Sequence, residues 1–166
     1  PVTSVAWSAD GKYVSCGTTQ TCFLWNADNY ANITTLKQDG NMVHSVAFSA
    51  DSKFLLTGGK TNTLVWEIES QKISHTIESP GNVVSWSPDG KYLVTAGSGV
   101  AQLWESAGFK LVKALTFGMR TCCWNKESKV FYALYGHNIH VLEPDSGKTP
   151  QTYNVAASGS MIWSPG

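Results

Sequence analysis

The four histidines and four cysteines are the side chains of this chain best suited to holding a metal or attacking a substrate, and their spacing argues against both. His137 and His140 stand three apart, which on a β-strand sends them to opposite faces. They therefore cannot share a metal as two helical histidines at i and i+4 do. His44 and His75 are isolated. Cys16, Cys22, Cys122 and Cys123 lack the paired C-x-x-C spacing of zinc and redox sites. Cys122 and Cys123 are adjacent, so they point to opposite sheet faces. Cys16 and Cys22 flank one hairpin and could meet, but buried reduced thiols are the expectation, which favours an intracellular protein.

Phosphate chemistry fares no better. Gly97-Ser-Gly99 opens like a dinucleotide fingerprint without its third glycine. Gly59-Lys-Thr61 and Gly147-Lys-Thr149 end like phosphate-binding loops, yet the glycine required five positions earlier is Phe54 in one and Leu142 in the other. No Gly-x-Ser-x-Gly elbow occurs, and no carboxylate pair stands out beyond the turn residues Asp10, Asp51, Asp89 and Glu127. We expect no catalytic residue, no metal and no cofactor. Asn32-Ile-Thr34 matches a glycosylation sequon, which matters only in a secreted chain.

Any functional residue must be positioned by a repeat. Trp7, Phe48, Trp86, Trp124 and Trp163 fall 41, 38, 38 and 39 positions apart, and Trp25, Trp66, Trp104 and Leu142 follow the first four at a constant offset of 18. A period of about 40 residues with paired aromatic anchors is the signature of β-propeller blades. The units are residues 2–41, 42–81, 82–118 and 119–159, with 160–166 beginning a fifth. Each unit holds short runs rich in β-branched and aromatic residues, in the first of them 2–7, 12–17, 22–26 and 33–36, separated by turn residues. The expected fold is therefore all-β: a β-propeller of four-stranded antiparallel blades, about four of them present. Asp10-Gly11 and Asp89-Gly90 suit the tight first hairpins, and Gly17, Gly58-Gly59, Gly97 to Gly99 and Gly136 mark the second ones. The anchor tryptophans, Trp7 and Trp25 included, are expected in the core between blades.

Each unit opens on one phrase: Val5-Ala-Trp-Ser-Ala-Asp-Gly-Lys12, Val46-Ala-Phe-Ser-Ala-Asp-Ser-Lys53, Val84-Ser-Trp-Ser-Pro-Asp-Gly-Lys91 and the eroded Cys122-Cys-Trp-Asn-Lys-Glu-Ser-Lys129. Over its whole length the chain resembles the WD-repeat family, whose blades carry this turn and a later Trp. The family's Asp six positions before that Trp is replaced by Thr19, Lys60, Ser98 and Gly136, and its His positions near Asp39, Ile77 and Leu115 hold no histidine. The family's buried hydrogen-bond network is thus expected to be missing, leaving apolar packing to carry the blades. Residues 98–105, 120–124 and 160–165 are also similar to blades of a nuclear-pore WD-repeat protein, which implies a scaffold role at the nuclear envelope.

Because 2–7 and 160–163 occupy the same blade strand, the chain reads as an arc of a larger ring, with sheet faces left uncovered at its ends and association of the isolated arc as a consequence. The 42% hydrophobic and 14% charged composition is that of a globular domain, and we read residues 1–166 as a single propeller segment. Twelve basic and twelve acidic side chains cancel, removing the footprint of a general nucleic-acid or anionic-membrane binder. No run of 18 apolar residues could span a membrane, and no signal peptide is visible at Pro1.

Function is then expected on a surface. The connections at 37–42, 78–82, 117–120 and 156–161 share one face with the second hairpins, and loops on a rigid scaffold carry binding disproportionately. Met42, Met119 and Arg120 are the leading partner contacts there, methionine for its adaptability and arginine for its enrichment at interfaces; Asp39, Lys60 and Asn82 complete the set. The alternative for Met42 and Met119 is to plug the central channel. The leading function is a noncatalytic protein-interaction scaffold within a larger assembly, cytoplasmic or nuclear. A phosphoinositide or nucleic-acid binder would need clustered basic residues, whereas Arg120 is the lone arginine; a propeller enzyme would need convergent carboxylates, for which the loops offer Asp39 and Glu78.

Overall fold

The computed structural model describes residues 1–38, 42–97, 99–127, 130–146, 148 and 150–155. Asp39, Ser98, the connection at 156–161 and the phrase at 160–166 with Trp163 lie outside the described residues. Among the described residues, sixteen strands form four antiparallel four-stranded sheets, each a simple meander. The first holds β1 (Val2–Trp7), β2 (Tyr13–Thr18), β3 (Cys22–Asn26) and β4 (Asn32–Leu36). The second holds β5 (Ser45–Phe48), β6 (Phe54–Gly58), β7 (Thr63–Glu67) and β8 (Lys72–Ile77). The third holds β9 (Val83–Trp86), β10 (Tyr92–Gly97), β11 (Val100–Glu105) and β12 (Lys110–Leu115). The fourth holds β13 (Thr121–Trp124), β14 (Phe131–Tyr135), β15 (Asn138–Leu142) and β16 (Gln151–Asn154), with a 3-10 turn at Pro144–Ser146. The first strands β1, β5, β9 and β13 lie side by side as inner strands, so the sheets are arranged as blades.

The phrase that opens each unit folds as a side-chain network. In the first three blades a buried serine (Ser8, Ser49, Ser87) donates to the aspartate two residues on (Asp10, Asp51, Asp89) at 2.6, 2.6 and 2.7 Å. The same hydroxyl accepts from the amide of Tyr13, Phe54 or Tyr92 at 2.9 Å, where the second strand begins. Asp10, Asp51 and Asp89 in turn accept from the lysine amides at 3.1, 3.1 and 3.0 Å. Gly11 and Gly90 take positive φ (74° and 73°), and Ser52 takes φ 59° where the second unit lacks the glycine. A left-handed residue with a Cβ costs about 1–2 kcal/mol, which the network must offset.

Packing between blades follows one rule. The face of the second blade that carries Trp66, with Val46, Leu55 and Leu64, packs on Cys22, Leu24 and Leu36 of the first. The Trp104 face of the third, with Val84 and Leu93, packs on Leu56, Val65 and Ile77 of the second. The Trp124 face of the fourth, with Phe131 and Leu142, packs on Val94, Ala96 and Leu103 of the third. Trp7 departs from the expected interblade position: it is 63% exposed and Val5 beside it 66%, because none of the described sheets covers that face of the first blade. Trp7, Val14, Trp25 and Tyr30 line a nearly wholly apolar cavity of about 350 Å³ there.

Part of the hydrogen-bond network read as missing is present. The Trp66 indole donates to Thr57 Oγ1 at 2.9 Å and the Trp104 indole to Thr95 Oγ1 at 3.0 Å, with Ser79 Oγ a further 2.9 Å from Thr95 Oγ1. The hydroxyl link to the Trp indole is thus present in the second and third blades. The register places Cys16 and Ala133 at the equivalent positions of the first and fourth blades, where a hydroxyl acceptor is missing. Replacing Thr57 by Val keeps the shape and orphans a buried indole N–H, so a loss of about 1–3 kcal/mol in urea unfolding is expected, with Thr57→Ser close to the parent.

The second-hairpin glycines serve space more than turn geometry. Gly99 and Gly136 do have positive φ (83° and 60°). Gly17 near the end of β2, and Gly58 and Gly97 at the ends of β6 and β10, instead lie beneath the crossing connections: a Cβ would lie 2.7 Å from Val43 Cγ1, 1.9 Å from the Gly81 carbonyl oxygen and 2.7 Å from Pro80 Cβ respectively.

Candidate interaction surface

Among the described residues, the connections leaving the first and second blades meet the second hairpins on one face, tied by backbone and side-chain bonds. Val43 N donates to Thr18 O at 3.0 Å, His44 N to Gly58 O at 2.8 Å and Gly81 N to Gly59 O at 2.8 Å. Gln38 Nε2 reaches Asn62 O and Oδ1, both at 3.3 Å. Lys60, Asn82 and Arg120 are exposed on this face, and Met42 is half-buried. Met119 turns the other way: at 7% exposure it belongs to the core between the third and fourth blades, so as placed it offers a partner little surface. It shares that buried cluster with Leu115 and Trp124, and nothing in its spacing distinguished that role from a contact. Asp39 lies outside the described residues.

The side chains read for chemistry are engaged structurally. All four cysteines are free thiols. Burial pushes Cys22 up to about 11, although the Ser15 hydroxyl 3.2 Å away works against it. At neutral pH that leaves about two orders of magnitude less thiolate than an ordinary cysteine carries. Iodoacetamide at pH 7 should therefore label Cys22 at least tenfold more slowly in the native protein than in urea, read by peptide mass spectrometry. His140 stacks on Phe117 with centroids 3.8 Å apart, its Nδ1 lies 2.9 Å from Thr152 Oγ1, and burial lowers its pKa. His137 sits in the hairpin before β15, not on the strand. Among the described residues no group of three or more His, Cys, Asp and Glu could hold a metal ion.

The opposite face, built from the first and third hairpins, was not singled out by sequence and carries three adjoining hollows. One, of about 330 Å³, lies between the second and third blades and is lined by Asp51, Phe54, Trp86, Asp89 and Phe109, among others. A second, of about 290 Å³, gathers Trp7, Phe48, Trp86 and Pro88. The third, of about 410 Å³, lies against the first and second blades and holds Asp10, Asp51, Glu67 and Glu69 beside Lys53. Burial works against ionisation of Asp51, but the Ser49 hydroxyl and Lys53 amide outweigh it and hold the carboxyl below its usual range. At Asp10 the Ser8 hydroxyl does the same. Both are charged at neutral pH.

On this all-β framework, residues 2–131 match the family model of the eukaryotic translation initiation factor eIF2A. That is more than half of the chain. The chain belongs to the eIF2A family. No individual curated protein matches it. The eIF2A match reaches into β14 and so takes in the first three blades and the opening of the fourth. It points to translation initiation and gives no support to the WD-repeat assignment, nor to the likeness to aladin, the nuclear-pore protein behind the nuclear-envelope expectation. The repeat period and turn phrase that suggested WD repeats are packing solutions of a blade, whereas Thr19, Lys60 and Gly136 are where this eIF2A-family chain departs from that pattern. No helix among the described residues is long and apolar enough to cross a membrane.

Proposed function

We propose that this chain serves translation initiation as a noncatalytic protein-interaction platform, its loops displayed on a rigid stack of blades. The observation that carries the reading is the eIF2A family match over residues 2–131. Its noncatalytic part is supported by the engagement of Cys22 and His140 in packing and hydrogen bonds. Exposed Lys60, Asn82 and Arg120 with Met42 offer one contact patch on the connection face.

The test uses the tagged full chain in a cell-free translation extract, arrested in one sample at the start codon and in another during elongation. Recovery of initiation components, identified by mass spectrometry, should be several-fold higher from the first sample. Equal recovery from both would overturn the proposal. Combined alanine substitution of Met42, Lys60, Asn82 and Arg120 reports whether that patch makes the contact.

A further inference from the structure

We propose that the face formed by the first and third hairpins binds a basic peptide segment of a partner protein, seating an arginine or lysine side chain in the cavity between the second and third blades. The inference rests on the reading of the chain as a protein-interaction platform and names the chemistry of one partner. Three aromatic rings, Phe54, Trp86 and Phe109, line a cavity of about 330 Å³ that also receives Asp51 and Asp89. Aromatic faces attract a cation through the ring quadrupole, and carboxylates complete the charge. The volume sits at the lower end of ligand pockets, about 300–1,000 Å³, which suits one inserted side chain rather than a whole small molecule.

Two further observations extend the site from a hole to a surface. Asp51 and Phe54 also line the neighbouring hollow with Asp10, Glu67 and Glu69, so two adjoining cavities are lined by five carboxylates, against Lys53 in the lining and Lys12 and Lys91 beside Asp10 and Asp89. The whole chain carries twelve charges of each sign, so this face is acidic by arrangement and not by composition. On the axis side Trp86 is shared with the hollow lined by Trp7, Phe48 and Pro88. An aromatic centre with a charged rim is how protein interfaces concentrate affinity. Lys91 approaches Asp89 Oδ2 at 3.9 Å with 72% of its side chain exposed, and exposed pairs of this kind contribute little. A phosphate backbone would meet the same carboxylates as repulsion, which selects a basic protein segment over RNA.

The experiment titrates the full chain into a fluorescein-labelled glycine–arginine repeat peptide and reads anisotropy, with the matching glycine–glutamate peptide and a short single-stranded RNA alongside. Binding of the arginine peptide alone is expected, weakened by salt and weakened about tenfold or more by Asp51→Asn with Asp89→Asn. An arginine peptide carrying a photoreactive diazirine gives a second readout on the unaltered protein: crosslinks should fall within residues 49–54, 86–91 and 106–109. Absent binding, equal binding of the glutamate peptide or RNA, an unaffected double variant that keeps the parent's circular dichroism, or crosslinks elsewhere would each overturn the proposal. Because these measurements use purified components, their failure beside successful recovery of initiation components would remove this site and leave the platform reading standing.

Discussion

The Gly58→Ala substitution is expected to destabilise the protein by about 3 kcal/mol or more, the upper end of what forcing atoms into a packed interior costs. The Cβ would stand 1.9 Å from the Gly81 carbonyl oxygen, 2.7 Å from its carbon and 2.8 Å from Val84 Cγ1. Two of those three atoms are backbone, held where Gly81 N donates to Gly59 O, so no side-chain rotation relieves the clash. The connection leaving the second blade would have to lift from the strand it crosses, and the junction with the third blade would open. Gly11→Ala is the control: its φ of 74° strains an alanine, but no atom lies within 4 Å, and a loss nearer 1 kcal/mol is expected. Urea midpoints of the two variants measure the difference. Equal losses would mean that the connection does not press on Gly58.

Truncating Phe131 should cost about 3–5 kcal/mol in the same measurement, by lost transfer energy plus the cavity left behind. The ring is fully buried, tilted 48° against Trp124 at a centroid separation of 4.9 Å, and packed in the cluster with Val94 and Leu103 of the third blade. Trp124 in turn stacks on Tyr92 of the third blade at 6.4 Å, and Tyr92 donates to Asp145 in the 3-10 turn, a bond that pushes the phenol up to about 12. Phe131 is thus part of what fixes the fourth blade to the third. Trp7→Ala removes a larger side chain, yet Trp7 is 63% exposed, so its loss should stay well below that of Phe131. If the two losses matched, the face carrying Trp7 would be covered in solution.

The architecture was legible because a blade cannot bury its aromatic face alone, which forces the anchors to recur; β1 and β3 match the strands read from sequence at 2–7 and 22–26. Gly17 and Gly58 were legible as punctuation but not as clearance, since a glycine needed for a close crossing and one needed for a turn look alike until the crossing segment is placed. Met119 shows the same limit, its burial being set by the neighbouring blade. The acidic and aromatic face stayed hidden for a related reason. Asp51 and Asp89 read as turn residues and Trp86 as core, and only the juxtaposition of two blades brings them to one cavity. Asp10, Asp51 and Asp89 do close the first hairpins, and the same bonds from Ser49 and the Lys53 amide hold Asp51 charged.

The most direct test of the platform reading is the stoichiometry with which the added chain perturbs translation in a cell-free extract, scored by arrival of complexes at the start codon and separately by elongation. A platform without catalysis acts by occupying partners, so arrival at the start codon should fall as the chain approaches molar equivalence with them, reach a plateau independent of incubation time, and leave elongation untouched. An effect that grows with time at trace amounts of the chain, or one that falls on elongation, would contradict the account.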